Sequence, residues 1–492
     1  MKQTRKILTI STSTLFALIF LAAVFSPSVH AQGEPAPKKA KNIILMIGDG
    51  MGFNQHVAGA YWRVGEPGKM PYENFPFHAA CTTFSSKGKP VSYHYEGYVP
   101  DQQWGKPETA AAPTELTQIT DSAAGITALQ SGVKTKNSYL GVDTDKNPLK
   151  LVAETAQEAG KSTGAVTTAV SPHATPGGVL AHNVSRDNYV EIFNEQTGKN
   201  GLTVLMGGGH PYYDSKGNKK EESGYDFKKV GGEETWEAVI SENGHNGYTF
   251  IDTAREFSRL AQSAENLPEK VLGIVRNGDD VPPVDGTPSE APDSDGIGEK
   301  VLKDFQLREI PTLSTMSLAA LNVLSQNPKG FYLMIEGGCI DHACHANDKE
   351  RLVYEQAAFT KTIDAVVNWV EENSSWDETV LLITADHETG FLWGPDTFTN
   401  KDDNARYDSK KDEFTGYQPV VNNGCGKLPG MQFLTGGHSN SLVPVWGIGA
   451  GVEELEKACY GTDEKAAQMW NFSGKYLDNT DIALFLKSKI AP

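Results

Sequence analysis

Six apolar runs punctuate the chain: NIILMI (42–47), GAVTTAV (164–170), LTVLM (202–206), FYLMIE (331–336), TVLLITA (379–385) and VPVWGIG (443–449). Each has strand length and is apolar on consecutive rather than alternate positions, the pattern of a strand buried on both faces. Between them the apolar positions fall at helical spacing. LKLVAETAQEAG (149–160) ends on Gly160, and PTLSTMSLAALNVLSQNPKG (311–330) begins on Pro311. A third helix carries Leu352, Phe359, Ile363, Val366 and Val370 along one face. Strands alternating with helices predict an α/β fold, with a large central, mostly parallel sheet covered by helices on both faces. Two stretches break the rhythm. Residues 278–298, rich in Pro, Gly and Asp, read as a surface loop, and the polar stretch 396–430 as an insertion near one edge of a single domain spanning 32–492.

The first 31 residues stand apart. Lys2, Arg5 and Lys6 precede a short apolar stretch, Leu15 to Val24, which ends near Val29-His30-Ala31. That layout predicts a signal peptide cleaved after Ala31 and an exported protein, periplasmic or secreted, with no membrane span after cleavage. Loss of three basic residues takes the formal charge from −18 to −21. So acidic a surface argues against nucleic acid as a partner and favours bound cations. The five cysteines of an exported chain suggest at most two disulfides and a free thiol, with Cys425–Cys459 the expected bridge.

Chemistry concentrates where strands end. Asp49 follows the first run, Glu336 closes the fourth, and Asp386-His387 follow the fifth. Parallel strands bring their carboxyl ends to one edge, where α/β proteins bind ligands. Any one of these acids alone would read as a cap or turn residue, and Asp49-Gly50 as a hairpin turn. Three converging acids repel one another unless cations lie among them. EGGCIDHACH (336–345) adds Asp341, His342 and His345; Asp341 and His345, four apart, share a helical face. GGHSN (436–440) adds His438, and mixed imidazole and carboxylate ligands suit zinc. In TDSAAGITALQSG (120–132), Ser122 stands at a helix start, which serves a cap or an anionic oxygen equally well. A serine hydroxyl becomes a nucleophile only when a base or a metal takes its proton. SPHATPGGVLAHNVSR (171–186) brings His173, Thr175 and Arg186 to the same edge, and the planar fork of Arg186 suits two oxygens of a phosphate.

These motifs, in this order and over nearly the whole mature chain, resemble the alkaline phosphatases. The resemblance implies hydrolysis of small phosphate monoesters at alkaline pH by a homodimer carrying two Zn2+ and one Mg2+ per subunit. It implies that Ser122 is the nucleophile that becomes phosphorylated and that Arg186 clamps the phosphate. Asp341, His345 and His438 would hold one zinc, and Asp49, Asp386 and His387 the other. Asp49 would be shared with magnesium, completed by Thr175 and Glu336. His173 and His342 stand where the enterobacterial form has Asp and Lys, which leaves the identity of the third metal open; they are read as hydrogen-bonding through water beside it, with a direct ligand role as the alternative. A phosphodiesterase of the wider superfamily is the nearest alternative, and Thr175, Glu336 and Arg186 argue against it. A dinucleotide-binding protein would need G-x-G-x-x-G, which the glycines at 48, 50 and 52 do not form. A metal-binding protein without catalysis would have no use for Ser122 and Arg186.

Overall fold

All six apolar runs form strands in the computed structural model, which describes residues 38–89, 98, 104, 116–263, 265–286, 296–397, 407–408, 413–414 and 416–490. The expected signal peptide lies outside the described residues. Pro37–Pro492 constitute one compact unit.

The strands are β1 (Asn42–Gly48), β2 (Phe77–Thr82), β3 (Ser162–Val170), β4 (Val204–Gly208), β5 (Thr249–Ile251), β6 (Val271–Ile274), β7 (Phe331–Gly337), β8 (Thr379–Thr384), β9 (Val443–Gly449), β10 (Gly461–Thr462) and β11 (Lys475–Asp478). They build an 11-stranded sheet in the order β10-β11-β2-β9-β8-β1-β7-β3-β4-β6-β5. From β8 through β5 every neighbour is parallel. β9 runs against both β8 and β2, so the sheet is mostly parallel, as expected, and mixed on one side. The chain leaves β8 at its carboxyl end and enters β9 from the same edge, so β9 runs backwards. The shorter strands were not legible as apolar runs. β2 (FHAACT) carries a histidine and two alanines, weak strand formers.

Helices flank the sheet. α1 (Phe53–Val64), α5 (Leu313–Leu324) and α7 (Lys349–Asn373) pack with one another and with β1, β3 and β7. α2 (Ser122–Ser131), α3 (Val152–Glu158) and α8 (Asn479–Ile490) form a second group against β1, β3 and β7. Two short helices, α4 (Ala174–Gly177) and α6 (Cys339–His345), lie just past β3 and β7. The three predicted helices are α3, α5 and α7. Strands β1, β7 and β8 are buried throughout, consistent with their unbroken apolar runs.

Two expectations need correction. All five cysteines are free, Cys425 and Cys459 included. The Cys425 thiol instead faces the Arg63 carbonyl and that of Cys459 the Leu455 carbonyl, so each is turned to its own neighbourhood. The segment read as a surface loop is also not all surface. Residues 281–283 are buried, and Trp62 donates to the Gly286 carbonyl at 3.2 Å; residues 287–295 lie outside the described residues.

Candidate active site

Strand register sets the site. Ile47 lies level with Thr384 on one side and Glu336 on the other, so Asp49 and Asp386, each two residues further, emerge together beyond the edge. Asp49, Glu336 and Asp386 are fully buried. Gly50 has φ +73°, and a Cβ there would stand 2.9 Å from both Asp341 Cα and Thr389 Oγ1. The bare neighbour of Asp49 thus lets the strand end pack directly against the metal-ligand candidates of α6. The Asp-Gly pair serves a close approach, not a hairpin.

Around Asp341, His345 Nε2 lies 3.2 Å from Oδ2 and His438 Nε2 lies 3.6 Å from Oδ1. The two Nε2 atoms are 3.1 Å apart. Each ring donates its Nδ1–H to a backbone carbonyl, His345 to Gly436 at 2.7 Å and His438 to Thr120 at 2.8 Å. Two imidazole lone pairs and a carboxylate therefore face one point, an arrangement that calls for a cation. His438 gets there because Thr389 pairs with it in a two-residue antiparallel ladder just before β9.

Asp386 and His387 meet Asp49 next door. His387 Nε2 is 3.2 Å from Asp386 Oδ2 and 3.4 Å from Asp49 Oδ1. Thr389 Oγ1 donates to Asp341 Oδ1 at 2.5 Å and accepts from His387 Nδ1 at 3.2 Å, so Nε2 carries the lone pair. Asp49 extends the cluster the other way, accepting from Thr175 Oγ1 at 3.3 Å and lying with Glu336 and His173 in a group tight enough to hold a cation. Glu336 is steadied by Thr167 on β3.

Ser122 opens α2, but Asp121 is its cap, accepting from Ala124 N at 2.9 Å. The serine hydroxyl is thereby free of capping and stands 3.2 Å from His387 Nε2. Arg186 donates to Asp121 Oδ2 at 3.3 Å and to His173 Nε2 at 3.0 Å. His342 lies on the far side of His173, the rings 5.6 Å apart and edge-on.

Electrostatics set the demand for cations. Burial, then the charges of Asp386, Asp341 and Glu336, push Asp49 well above the carboxylate range. Burial, then Asp341 and Glu336, push Asp386 up to about 8. Glu336 is raised by burial. Burial would raise Asp341 too, but hydrogen bonding to His345 and the three nearby imidazoles hold it low. Burial, then His438, drives His387 well below the usual histidine value; burial and Arg186 bring His173 down to about 3. His342 goes the other way, up to about 9, because Asp280 outweighs its burial. Asp49 Oδ1, Glu336 Oε1 and Asp386 Oδ2 have no hydrogen-bond partner. Buried orphan carboxylate oxygens beside neutral imidazoles are the donor set of divalent-metal sites, and the residues present fit bound divalent cations.

The structure thus brings together all twelve residues singled out in the sequence. It adds others that were missed. Asp121 adjoins Ser122 and Thr389 stands two residues after His387, a signal that was available. Thr167 faces Glu336 only through strand register. Asp280 and Arg351 carried no local signal.

Comparison with known proteins gives the family and the fold. The family model for alkaline phosphatase matches residues 40–420. The chain is 30% identical over 386 residues to alkaline phosphatase 4 of Bacillus subtilis (strain 168), covering 77% of this chain and 68% of that protein. It is 28% identical over 382 residues to the alkaline phosphatase of Escherichia coli (strain K12), covering 73% of each. The crystal structure of Thermus thermophilus alkaline phosphatase superposes with a TM-score of 0.60 at 20% identity, over 95% of this chain and 96% of that one.

Proposed function

This chain belongs to the alkaline phosphatase family, and from that premise we propose that it hydrolyses small phosphate monoesters through a phosphoserine at Ser122. The observation that carries the reading is the set of orphan carboxylate oxygens on Asp49, Glu336 and Asp386, buried beside a serine released from capping duty. Asp341, His345 and His438 would hold one Zn2+; Asp49, Asp386 and His387 a second; Asp49, Thr175 and Glu336 a Mg2+. Bound there, the metals supply Lewis acidity that offsets phosphate charge and lowers the pKa of a hydroxyl or water.

The chain's own groups do the rest. Ser122 Oγ attacks phosphorus as the ester P–O bond breaks, and the leaving oxygen departs as the alcohol. Arg186, braced by Asp121, presents two N–H groups to the non-bridging oxygens, and the amino end of α2 adds favourable dipole and backbone donors. Water then attacks the phosphoserine from the opposite side, phosphate leaves and the serine hydroxyl is restored. Two in-line displacements give net retention at phosphorus. The same reading carries an alkaline pH preference, export directed by residues 1–31, and a homodimer. No helix among the described residues is long and apolar enough to cross a membrane.

The test is hydrolysis of a chromogenic phosphate monoester at alkaline pH, before chelation, after it, and after return of zinc and magnesium. Activity lost and restored, with the matching diester turned over far more slowly, is expected. Ser122→Ala is expected to lower kcat by roughly three orders of magnitude or more with metal content unchanged. Full activity in that variant, or inversion at phosphorus, removes the phosphoserine.

A further inference from the structure

After β6 the chain turns in over the carboxyl edge of the sheet. Gly208 makes room for it, since a Cβ there would stand 2.0 Å from the Asp279 carbonyl oxygen, and Val281 N ties it to Thr168 O at 2.6 Å. The two adjacent acids on this segment part company. Asp279 is exposed and pairs with Lys229 at 3.0 Å. Asp280 turns inward. Its Oδ2 accepts from His342 Nδ1 at 2.8 Å and from Arg351 Nη2 at 2.9 Å. Arg351 is braced in turn, its Nε donating to the buried Glu355 Oε1 at 3.1 Å, one turn along α7. Asp280, Cys339 and His342 are close enough to hold a cation, but the Arg351 guanidinium already occupies that carboxylate and a metal there would meet a fixed positive charge.

His342 follows Asp341 directly on α6. With Nδ1 committed to Asp280, Nε2 is the ring's remaining hydrogen-bonding atom, and it has no hydrogen-bond partner among the described residues. The ring abuts His173, which accepts from Arg186, which in turn bonds the cap of the Ser122 helix. A single row of contacts therefore runs Glu355–Arg351–Asp280–His342–His173–Arg186–Asp121. We propose that Asp280 is a positioning residue for the phosphate site, holding the His342 ring so that Nε2 is presented to the bound phosphate group. Without Asp280 the His342 ring has no partner that fixes its side-chain torsions; a carboxylate oxygen itself held by a braced arginine fixes them.

The proposal rests on the phosphomonoesterase reading, and its test separates the two. Asp280→Ala in the metal-loaded enzyme, which removes the acceptor of His342 Nδ1–H outright, is expected to raise KM and the inhibition constant for inorganic phosphate about 10-fold, the size of one lost hydrogen bond to a charged group, with kcat unchanged or higher because product leaves faster. In a His342→Ala background the same substitution is expected to change neither constant further. Equal effects in both backgrounds, or constants unmoved in the single variant, overturn the proposal. Should Asp280→Ala fail to fold, ring 15N NMR of the wild-type enzyme decides, with His342→Ala assigning the resonance. Inorganic phosphate should shift His342 Nε2, and an unmoved signal overturns the proposal. Wild-type enzyme inactive on the monoester would instead overturn the reading of the site.

Discussion

At the scale of single residues, environment and not identity decides what a histidine does. Nδ1–H bonds to backbone carbonyls turn His345 and His438 into lone-pair donors, whereas a carboxylate on Nδ1 raises the pKa of His342 and favours its protonated form. His78, on β2, is held neutral for another reason. Its ring stacks on Trp446 at 5.3 Å, and burial, then the nearby His56, bring its pKa down to about 4. The unfolded chain takes up that proton near pH 6.5 and the folded chain only near 4, so stability falls as pH drops through that window. The loss attributable to His78 is at most about 3 kcal/mol. Denaturant titrations at pH 7.5 and 4.5 should show a smaller acid loss in His78→Gln than in the parent; an equal loss would place the acid sensitivity elsewhere.

At the scale of elements, the amino end of α2 combines a structural and a chemical task. Asp121 accepts from Ala124 N, from Ser138 N at 2.8 Å and from Arg186, so one carboxylate starts the helix, ties down the following loop and aims the guanidinium. Asp121→Ala should cost about 1 kcal/mol for the cap and raise KM. Asp121→Asn keeps an acceptor for the helix and should retain near-parental stability while still raising KM. Denaturation and steady-state kinetics on both variants check the split, and a Asp121→Asn enzyme with parental KM would show that Arg186 needs no charged brace. The reversed strand β9 matters in the same way. Had it run parallel to β8, His438, which precedes it, would lie at the opposite edge of the sheet, away from Asp341.

At the scale of the whole molecule, four buried carboxylates, Asp49, Glu336, Asp341 and Asp386, sit at the centre of the fold's own stability. Without cations they are a liability; with them, metal binding adds to folding free energy. Chelation should lower Tm, and zinc with magnesium should restore it. The chelated protein should also weaken as pH rises from about 4 to about 8. Its Asp386 carboxyl, pushed up to about 8, keeps a proton that the unfolded chain has already lost near pH 4. The metal-loaded protein should show no such decline in thermal scans across that range. A chelated protein of unchanged Tm would mean that these acids are compensated by the protein alone.

Continuous apolar runs dictated the α/β class, because only strands buried on both faces dispense with alternation, and strand ends rich in acid and imidazole dictated the edge where the chemistry sits. Asp49, Ser122, Glu336, Asp341, His345, Asp386 and His387 were legible because each lies next to a strand or helix signal. Tertiary structure alone decided the rest. The direction of β9 depends on which edge a long excursion returns to, and apolar patterning is blind to direction. The absence of a Cys425–Cys459 bridge depends on where two thiols point. Asp280 carries no local mark in its loop. It meets His342 and Arg351 only when the sheet, α6 and α7 are assembled, since hydrogen bonds between residues 62 and 71 positions apart leave no trace in the spacing of either.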